Sequence, residues 1–590
     1  MSTKELCLEK FFGLDENANE ESVKPGYASH MVNFRITDDH KLKKRGGIDS
    51  FISLSGGEHP LCVIYTKVDN DTESKYYVLS ENFLWVFNKQ GVQTGKEEFM
   101  APSASKYKTM FVRGKTLHIM DGNLFYTYQP SKPSSKLTFC KPYAPVLLAA
   151  ASPDGQGTKL EEVNIINDNR RAQYISDGIS ITYILPEKPV DSVLSVQVNG
   201  VTKTCSYSTL RGEVTITPAP ALGAAVEIVY SIAKVDNEKY LDICSCTSAM
   251  FYSGKTDVDV FVYGNSSHSA RRYWSAKGDP TYYPVSNHSD VGDATKKITS
   301  IVRHYDRQLI FTEDEVYYSY LNINDGLDVA YPLLPLSTTG NVPYDGVLVV
   351  NDVPLFVSDG IYAIKNTAER NEKFTRRISG RVEKSFGAFA AEQIVTADYK
   401  AENEAWFAYR DTVIIYNYKN DLFYKYQFPF EIAKLFYQNN KILISDSQGK
   451  IYAYDKTRTN DNINNTKTAI AAEWEMPYSE FFYPHNNKFS NRLYVSFDGF
   501  SDSVQAKVHC QTDGSDKKYT GEFIRKSFSF GSLVFSEFAF CSPHQKNTLT
   551  CRLNAKKYRK IKIGITSDGL DCSADVASIT LPANFGTTLL

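Results

Sequence analysis

The sequence predicts an all-β protein: a single β-propeller of six to eight blades, with an inserted β-sandwich domain and a C-terminal β-sandwich domain. Three observations carry this reading. The 590 residues include 39 Tyr and 34 Phe, and aromatic side chains suit pleated, half-buried surfaces. A strand–turn–strand unit recurs along the chain. No stretch shows the apolar spacing of a helix, so helical content is expected to be low. The recurring unit is seen as "KYYVLSENFLWVFN" (75–88), "KTLHIMDGNLFYTYQ" (115–129), "DVFVYGNSSHSARRYWS" (259–275) and "RQLIFTEDEVYYSYL" (307–321). It returns as "DVPLFVSDGIYAIK" (352–365), "EAWFAYRDTVIIYNY" (404–418) and "NKILISDSQGKIYAYD" (440–455). Each is an apolar strand, a polar turn and an aromatic strand, which is a hairpin signature; Gly122 and Gly360 are the clearest turn glycines. Successive copies are spaced by about 40–50 residues, the period of propeller blades.

The spacing also sets the boundaries. One interval, between the copies at 115 and 259, is too long for a blade. The excess, with "SDGISITYILP", "SVLSVQVNG" and "AAVEIVYSIA", reads as short alternating strands with Gly and Pro turns. The expected organisation is an N-terminal segment 1–49, propeller 50–141, inserted β domain 142–236, propeller 237–455, and C-terminal β-sandwich 456–590. In this reading "DKTRTNDNINNTK" after Asp455 is a linker, and the sandwich begins as a continuation of the last propeller strand.

Hydrophobic residues at 42%, charged residues at 23% and a net charge of −2 describe an ordinary globular chain. Near-neutrality argues against bulk capture of nucleic acid or anionic membrane. The start, "MSTKELCLEKFFG", has no apolar stretch of signal-peptide length, and the longest apolar run, "VLLAAA", is too short to span a bilayer. Ten scattered cysteines without a CxxC pair read as reduced packing residues, and Cys244 and Cys246 as sharing one face of a strand.

No catalytic, metal or cofactor motif emerges: HExxH, GxxxxGK[ST], GxSxG and an EF-hand loop are all missing. The turn "ISDSQGKIY" approaches a sialidase-like repeat, but Asp446 stands three residues before Gly449 and no Trp follows. Glu313, Asp314 and Glu315 read as a solvated acidic turn, and "VDNDTE" (68–73) as a polar connection rather than a calcium loop. In "SARRYWSAKGDPTYYP" (269–284), Arg271, Arg272 and Trp274 form either a cation–π ligand site or, as favoured, packing under the next blade.

The opening stretch, 24–47, runs Pro25-Gly26, Ala28, Asn33-Phe34, a polar turn, Leu42-Lys43, Arg45 and Gly46-Gly47. With "RRYWSAKGDPTYYPVSN", "ITSIVRHYDRQLIFTEDEVYYSY" and "NIINDNRRAQYISDGISITYIL", this order resembles tail tubular, nozzle-type propeller proteins of short-tailed bacteriophages and related neck proteins. The likeness covers residues 22–455. It implies a non-enzymatic virion subunit of the tail or neck, made in a bacterial cytoplasm, in a ring of six or twelve around the DNA exit channel. The implied partners are other tail, neck or portal-adaptor proteins and passing double-stranded DNA, with no cofactor. Asn33, Phe34, Leu42, Arg45 and Gly46 are then expected to form an assembly strap that adds to a neighbour. Gly46-Gly47 would give that strap its freedom to turn. Lys41, Lys43, Lys44 and Arg45 are candidate DNA-channel contacts, with a solvated hairpin end or a subunit salt-bridge surface as the plainer alternative. A receptor- or glycan-binding tail protein and a propeller glycan hydrolase are the alternatives from other classes.

Overall fold

The computed structural model describes residues 3–16, 23–101, 108–132, 135–232, 237–323, 329–344, 346–366, 373–481, 485–498, 503–513, 515–525 and 547–588. Among these, the α-helices are Asn237–Cys244 and the single turn Glu383–Phe386; nearly everything else regular is strand. The chain divides into two compact units, Leu61–Thr338 and the combination of Met1–Pro60 with Thr339–Leu590.

All seven hairpins expected from the sequence are present, each flanked on both sides by antiparallel strands. Leu61–Thr338 holds four such sheets, spanning 62–98, 109–139, 248–290 and 298–337. The middle strands are buried on both faces: Tyr76, Tyr77, Val78 and Leu79 are all solvent-free, as are Leu84 and Trp85. Continuous apolar runs rather than strict alternation follow from this double covering. The cores lie between consecutive sheets. Tyr77, Leu84 and Val86 pack with Leu117, Ile119 and Tyr126, and Met120 and Phe125 pack with Val260, Val262 and Tyr273. Stacking of each small sheet on the next is the packing logic of propeller blades.

The turn glycines serve two different needs. Gly122 has φ 95°, a conformation that favours glycine. Gly360 does not adopt positive φ; a Cβ there would lie 2.5 Å from Arg377 Nε, so it is small for lack of space. Cys244 closes a helix instead of lying on a strand, and both Cys244 and Cys246 are buried.

Within the excess interval, two sheets enclose a core of their own. One contains Val146–Ala151, Asn169–Ile175, Ser192–Val198 and Ala225–Ser231; the other contains Thr182–Ile184, Ser206–Ser208 and Glu213–Thr215. Tyr174, Tyr183, Val196, Val214, Ile228 and Tyr230 fill the space between them. The expected boundary at 236 falls outside the described residues. A core separate from the blades should fold separately: a fragment of residues 142–232 is expected to melt in one cooperative transition by circular dichroism. A featureless melt would show that the piece depends on the rest of the chain.

The second unit holds sheets of 347–377 and 395–427, and a third built on 432–455. The third takes its fourth strand from far away: Gly47–Ser53 pairs antiparallel with Lys450–Asp455. The remaining strands form two facing sheets. One contains Asn486–Phe497, Thr548–Tyr558 and Val576–Thr588 together with Thr3–Leu8, Phe34–Ile36 and Leu42–Lys44. The other contains Ala472–Glu475, Val504–Thr512, Ser515–Arg525 and Ile561–Ser567 together with His30–Val32. The C-terminal sandwich is therefore completed by N-terminal strands, which the sequence reading placed in a separate segment. The stretch after Asp455 is also not a linker. Asn460–Ile463 and Thr466–Ala469 form a hairpin, and Asn464 and Asn465 carry the positive φ angles of its turn.

In this sandwich Glu475 lies 3.3 Å from His509 Nε2 and 2.6 Å from Lys562 Nζ. The His509 bond first, then Lys562, hold its carboxyl down from 4.5 to about 2. A depressed carboxyl stabilises the fold above its ordinary value, and that contribution is lost as pH falls through the folded value. Glu475→Gln is expected to make acid unfolding shallower between pH 4.5 and about 2, measured by tryptophan fluorescence; an unchanged acid limb would refute the assignment.

Candidate functional site

The assembly strap inferred from the sequence is instead an internal clasp. His30–Val32 joins one sheet of the sandwich and Phe34–Ile36 the other, so the chain must cross between sheets at Asn33. Asn33 does this with φ 57°, a left-handed conformation that Asn tolerates better than most residues. Its side chain then bridges three segments. Nδ2 donates to Ala471 O at 2.7 Å, and Oδ1 accepts from Arg45 Nε at 2.9 Å and from Gln427 N at 2.8 Å. Phe34 and Leu42, also expected on the strap, are completely buried.

Arg45 is the centre of the node. It meets Asp461 through two parallel bonds, Nη1 to Oδ1 at 2.9 Å and Nη2 to Oδ2 at 2.7 Å. Both side chains are almost solvent-free. Further bonds run to the Gly46 and Gln427 carbonyls, and the guanidinium sits 4.6 Å from the Phe428 ring centroid. The Asp461 carboxylate also accepts from Ile48 N at 3.2 Å. A buried ion pair is tolerable when its remaining hydrogen-bonding capacity is used in this way.

The two glycines that follow are small for a reason other than flexibility. A Cβ on Gly46 would lie 2.4 Å from Asp455 O, and one on Gly47 would lie 1.8 Å from Asn460 O. Gly47→Ala is therefore expected to destabilise by about 1–3 kcal/mol, the usual range for overpacking. Urea unfolding would measure it, and a wild-type midpoint would contradict the close approach.

The expected DNA contacts are not free to serve. Lys44 is buried and donates to the Gly569 and Cys572 carbonyls at 3.3 and 3.2 Å, and burial pushes its ammonium down to about 8. Arg45 is occupied by Asp461. Lys41 donates to Ala577 O, and Lys43 pairs with Asp575 at 3.2 Å. Four basic residues within the five positions 41–45 read as a solvated surface, yet all four face their own chain.

The N-terminal segment also covers a sheet edge. Along Leu422–Gln427, Leu14 N donates to Phe423 O and Asn33 N to Lys425 O. Unpaired strand edges invite association, and this one is occupied from within. An open groove of about 920 Å³ runs beside the node, lined by His30, Arg410, Asp411, Phe430 and Glu473 among others.

The motif at 269–284 is structural. Arg272 is solvent-free and bonds Ser289 Oγ, Gln308, Ser319 Oγ and Tyr331 O, which joins the 248–290 and 298–337 sheets. Burial works against its charge, and hydroxyls and carbonyl oxygens stand in for a counterion. Arg271 pairs with Asp290, and Asn164 clamps the Tyr143 and Thr281 carbonyls at 2.8 Å each. In the turn 313–315, Glu313 and Asp314 face Lys297 and Lys296. Asp71, of the polar connection, accepts from Lys75 and Tyr77.

Sequence reading missed the buried Glu404. Trp406 Nε1 donates to it at 2.9 Å, Tyr424 donates to its other oxygen, and burial raises its pKa. It sits in a sheet interior under tyrosines. Among the described residues, no group of three or more His, Cys, Asp and Glu is placed to hold a metal ion.

These sheets define an all-β protein built of many small sheets. No protein-family model and no curated protein sequence matches the chain. Among solved structures, it is similar to the Pan2 WD40 domain of Neurospora crassa. Identity is 6% over 72% of this chain and 97% of that one, with a TM-score of 0.32. It is similar to BamB from Moraxella catarrhalis at 9% identity, 72% and 97% coverage and a TM-score of 0.31. An exo-β-1,3-galactanase from Phanerochaete chrysosporium aligns at 9% identity, 57% and 97% coverage and a TM-score of 0.22. Likenesses this distant lend nothing about substrate or partner.

Proposed function

We propose that this chain is a non-enzymatic structural subunit of a bacteriophage virion, a nozzle-like ring component of the tail or neck. In this reading, six or twelve copies surround the channel through which double-stranded DNA leaves. The supporting observation is the fate of the opening motif. Asn33, Arg45, Gly46 and Gly47, which carry the resemblance to nozzle-type proteins, converge on one buried node. A motif used this way specifies an architecture, so a likeness in it speaks for shared construction. The proposal includes a single propeller of six to eight blades, for which the described residues offer six four-stranded sheets and the longer sheet on 432–455. Contacts between copies and any channel lining fall on surfaces other than the 24–47 stretch, whose strands are already partnered.

The test is assembly state. Mass photometry and negative-stain imaging of the purified chain should give closed rings of six or twelve, alone or with a portal-adaptor partner. Antibody labelling should place it on tailed particles. A chain that stays monomeric at every concentration and is missing from purified particles would overturn the reading.

A further inference from the structure

The outer face of the C-terminal sandwich carries a groove of about 580 Å³, lined by Phe489, Asn491, Arg492, Tyr494, Arg552, Asn554, Pro582 and Asn584. Arg492 and Arg552 are directly opposite in register on neighbouring strands. Like charges so placed, with Cβ atoms about 5 Å apart, repel each other. Neither arginine has an ion pair or side-chain hydrogen bond among the described residues. The lining contains no Asp or Glu. Glu5, the register partner of Pro582, stands one strand beyond.

The backbone is irregular at this point on both strands. The pairing slips between Ser490 and Arg492, so Asn491 and Arg492 are both exposed instead of alternating. On the facing strand, Asn554 has φ 46° inside Thr548–Tyr558. Bulges of this kind re-aim side chains, and left-handed non-glycine residues in strands are concentrated at functional sites. Here the two irregularities bring amides and guanidiniums together on one surface.

We propose that this groove binds an acidic oligosaccharide. The two guanidinium forks clasp one carboxylate and turn their mutual repulsion into shared attraction, the bidentate geometry that arginine favours. Asn491, Asn554 and the Tyr494 hydroxyl bind neighbouring sugar hydroxyls, and the Tyr494 and Phe489 rings offer apolar faces to the sugar ring. A nucleic acid fits less well, because its capture relies on many phosphate contacts along a basic stripe, while this chain has a net charge of −2. The site is independent of whether the chain enters a virion.

Isothermal titration of the full chain with three probes, a short oligogalacturonate, a hyaluronan fragment and sialyllactose, tests this against neutral sugars of matched length. At least one acidic probe should bind saturably and the neutral ones should not. Arg492→Ala and Arg552→Ala should each weaken binding by about tenfold or more, and Arg552→Lys should recover only part, since charge without the fork is insufficient. Melting temperatures should stay level or rise slightly, because both side chains are exposed and the pair is repulsive. The proposal is overturned if none of the acidic probes binds, if neutral sugars bind equally, or if single-stranded DNA of matched charge displaces them all at lower concentration.

Discussion

A chain lacking residues 1–47 is expected to lose the cooperative melting of the unit that combines Met1–Pro60 with Thr339–Leu590. The deletion removes Thr3–Leu8, His30–Val32, Phe34–Ile36 and Leu42–Lys44 from the two sandwich sheets. It also strips the edge of Leu422–Gln427 and exposes Trp474, which packs edge-on against Phe11 at 5.3 Å. The completely buried side chains that go with it include Phe11, Leu14, Met31, Phe34 and Leu42. At about 1.5–3 kcal/mol each, their loss matches the whole stability of an ordinary domain. Calorimetry should show the transition of this unit abolished while that of Leu61–Thr338 persists. A truncated chain with both transitions intact would restore the idea of a detachable strap.

Asp461→Ala is expected to cost about 3–5 kcal/mol, because it leaves Arg45 charged, buried and unpaired. Ile48 N loses an acceptor as well. The double variant Arg45→Met with Asp461→Leu should recover much of that loss, since an apolar pair of similar volume often substitutes for a buried ion pair. Guanidinium unfolding of the two singles and the double forms the cycle. If Asp461→Ala lies within about 0.5 kcal/mol of wild type, as exposed sites usually do, the node is not a structural keystone.

What could be read from the sequence was local. Each hairpin announces itself within about fifteen residues through its turn and its aromatic strand, and all seven are in place. The inserted core was legible because it interrupts a rhythm. The docking of 24–47 was not, because its strands are three residues long and their partners stand hundreds of positions away: Met31 pairs with Trp474 and Leu42 with Val576. Lys44 and Arg45 looked exposed because such residues are rarely buried unless paired. Their partners, the Gly569 and Cys572 carbonyls and Asp461, are invisible from residues 41–45. Asp461 itself carried a usable signal, since Asn464-Asn465 between two short polar runs is a hairpin turn. The Arg492–Arg552 pair depends on a register between two strands that no local pattern fixes.

The pairing of Thr3 with Asn584 has a consequence for biosynthesis. During translation the segment 1–47 leaves the ribosome hundreds of residues before its partners in the sandwich, such as Trp474 and Val576, are made. The blades of 61–338 can form while ribosomes are still reading the remainder, because their contacts are sequential. Phe11, Met31 and Phe34 must wait, exposed, until those partners have been made. Contacts of such long sequence separation form slowly. Slowing elongation over the codons for residues 472–588 should lengthen that wait and raise the share of newly made chains captured by chaperones.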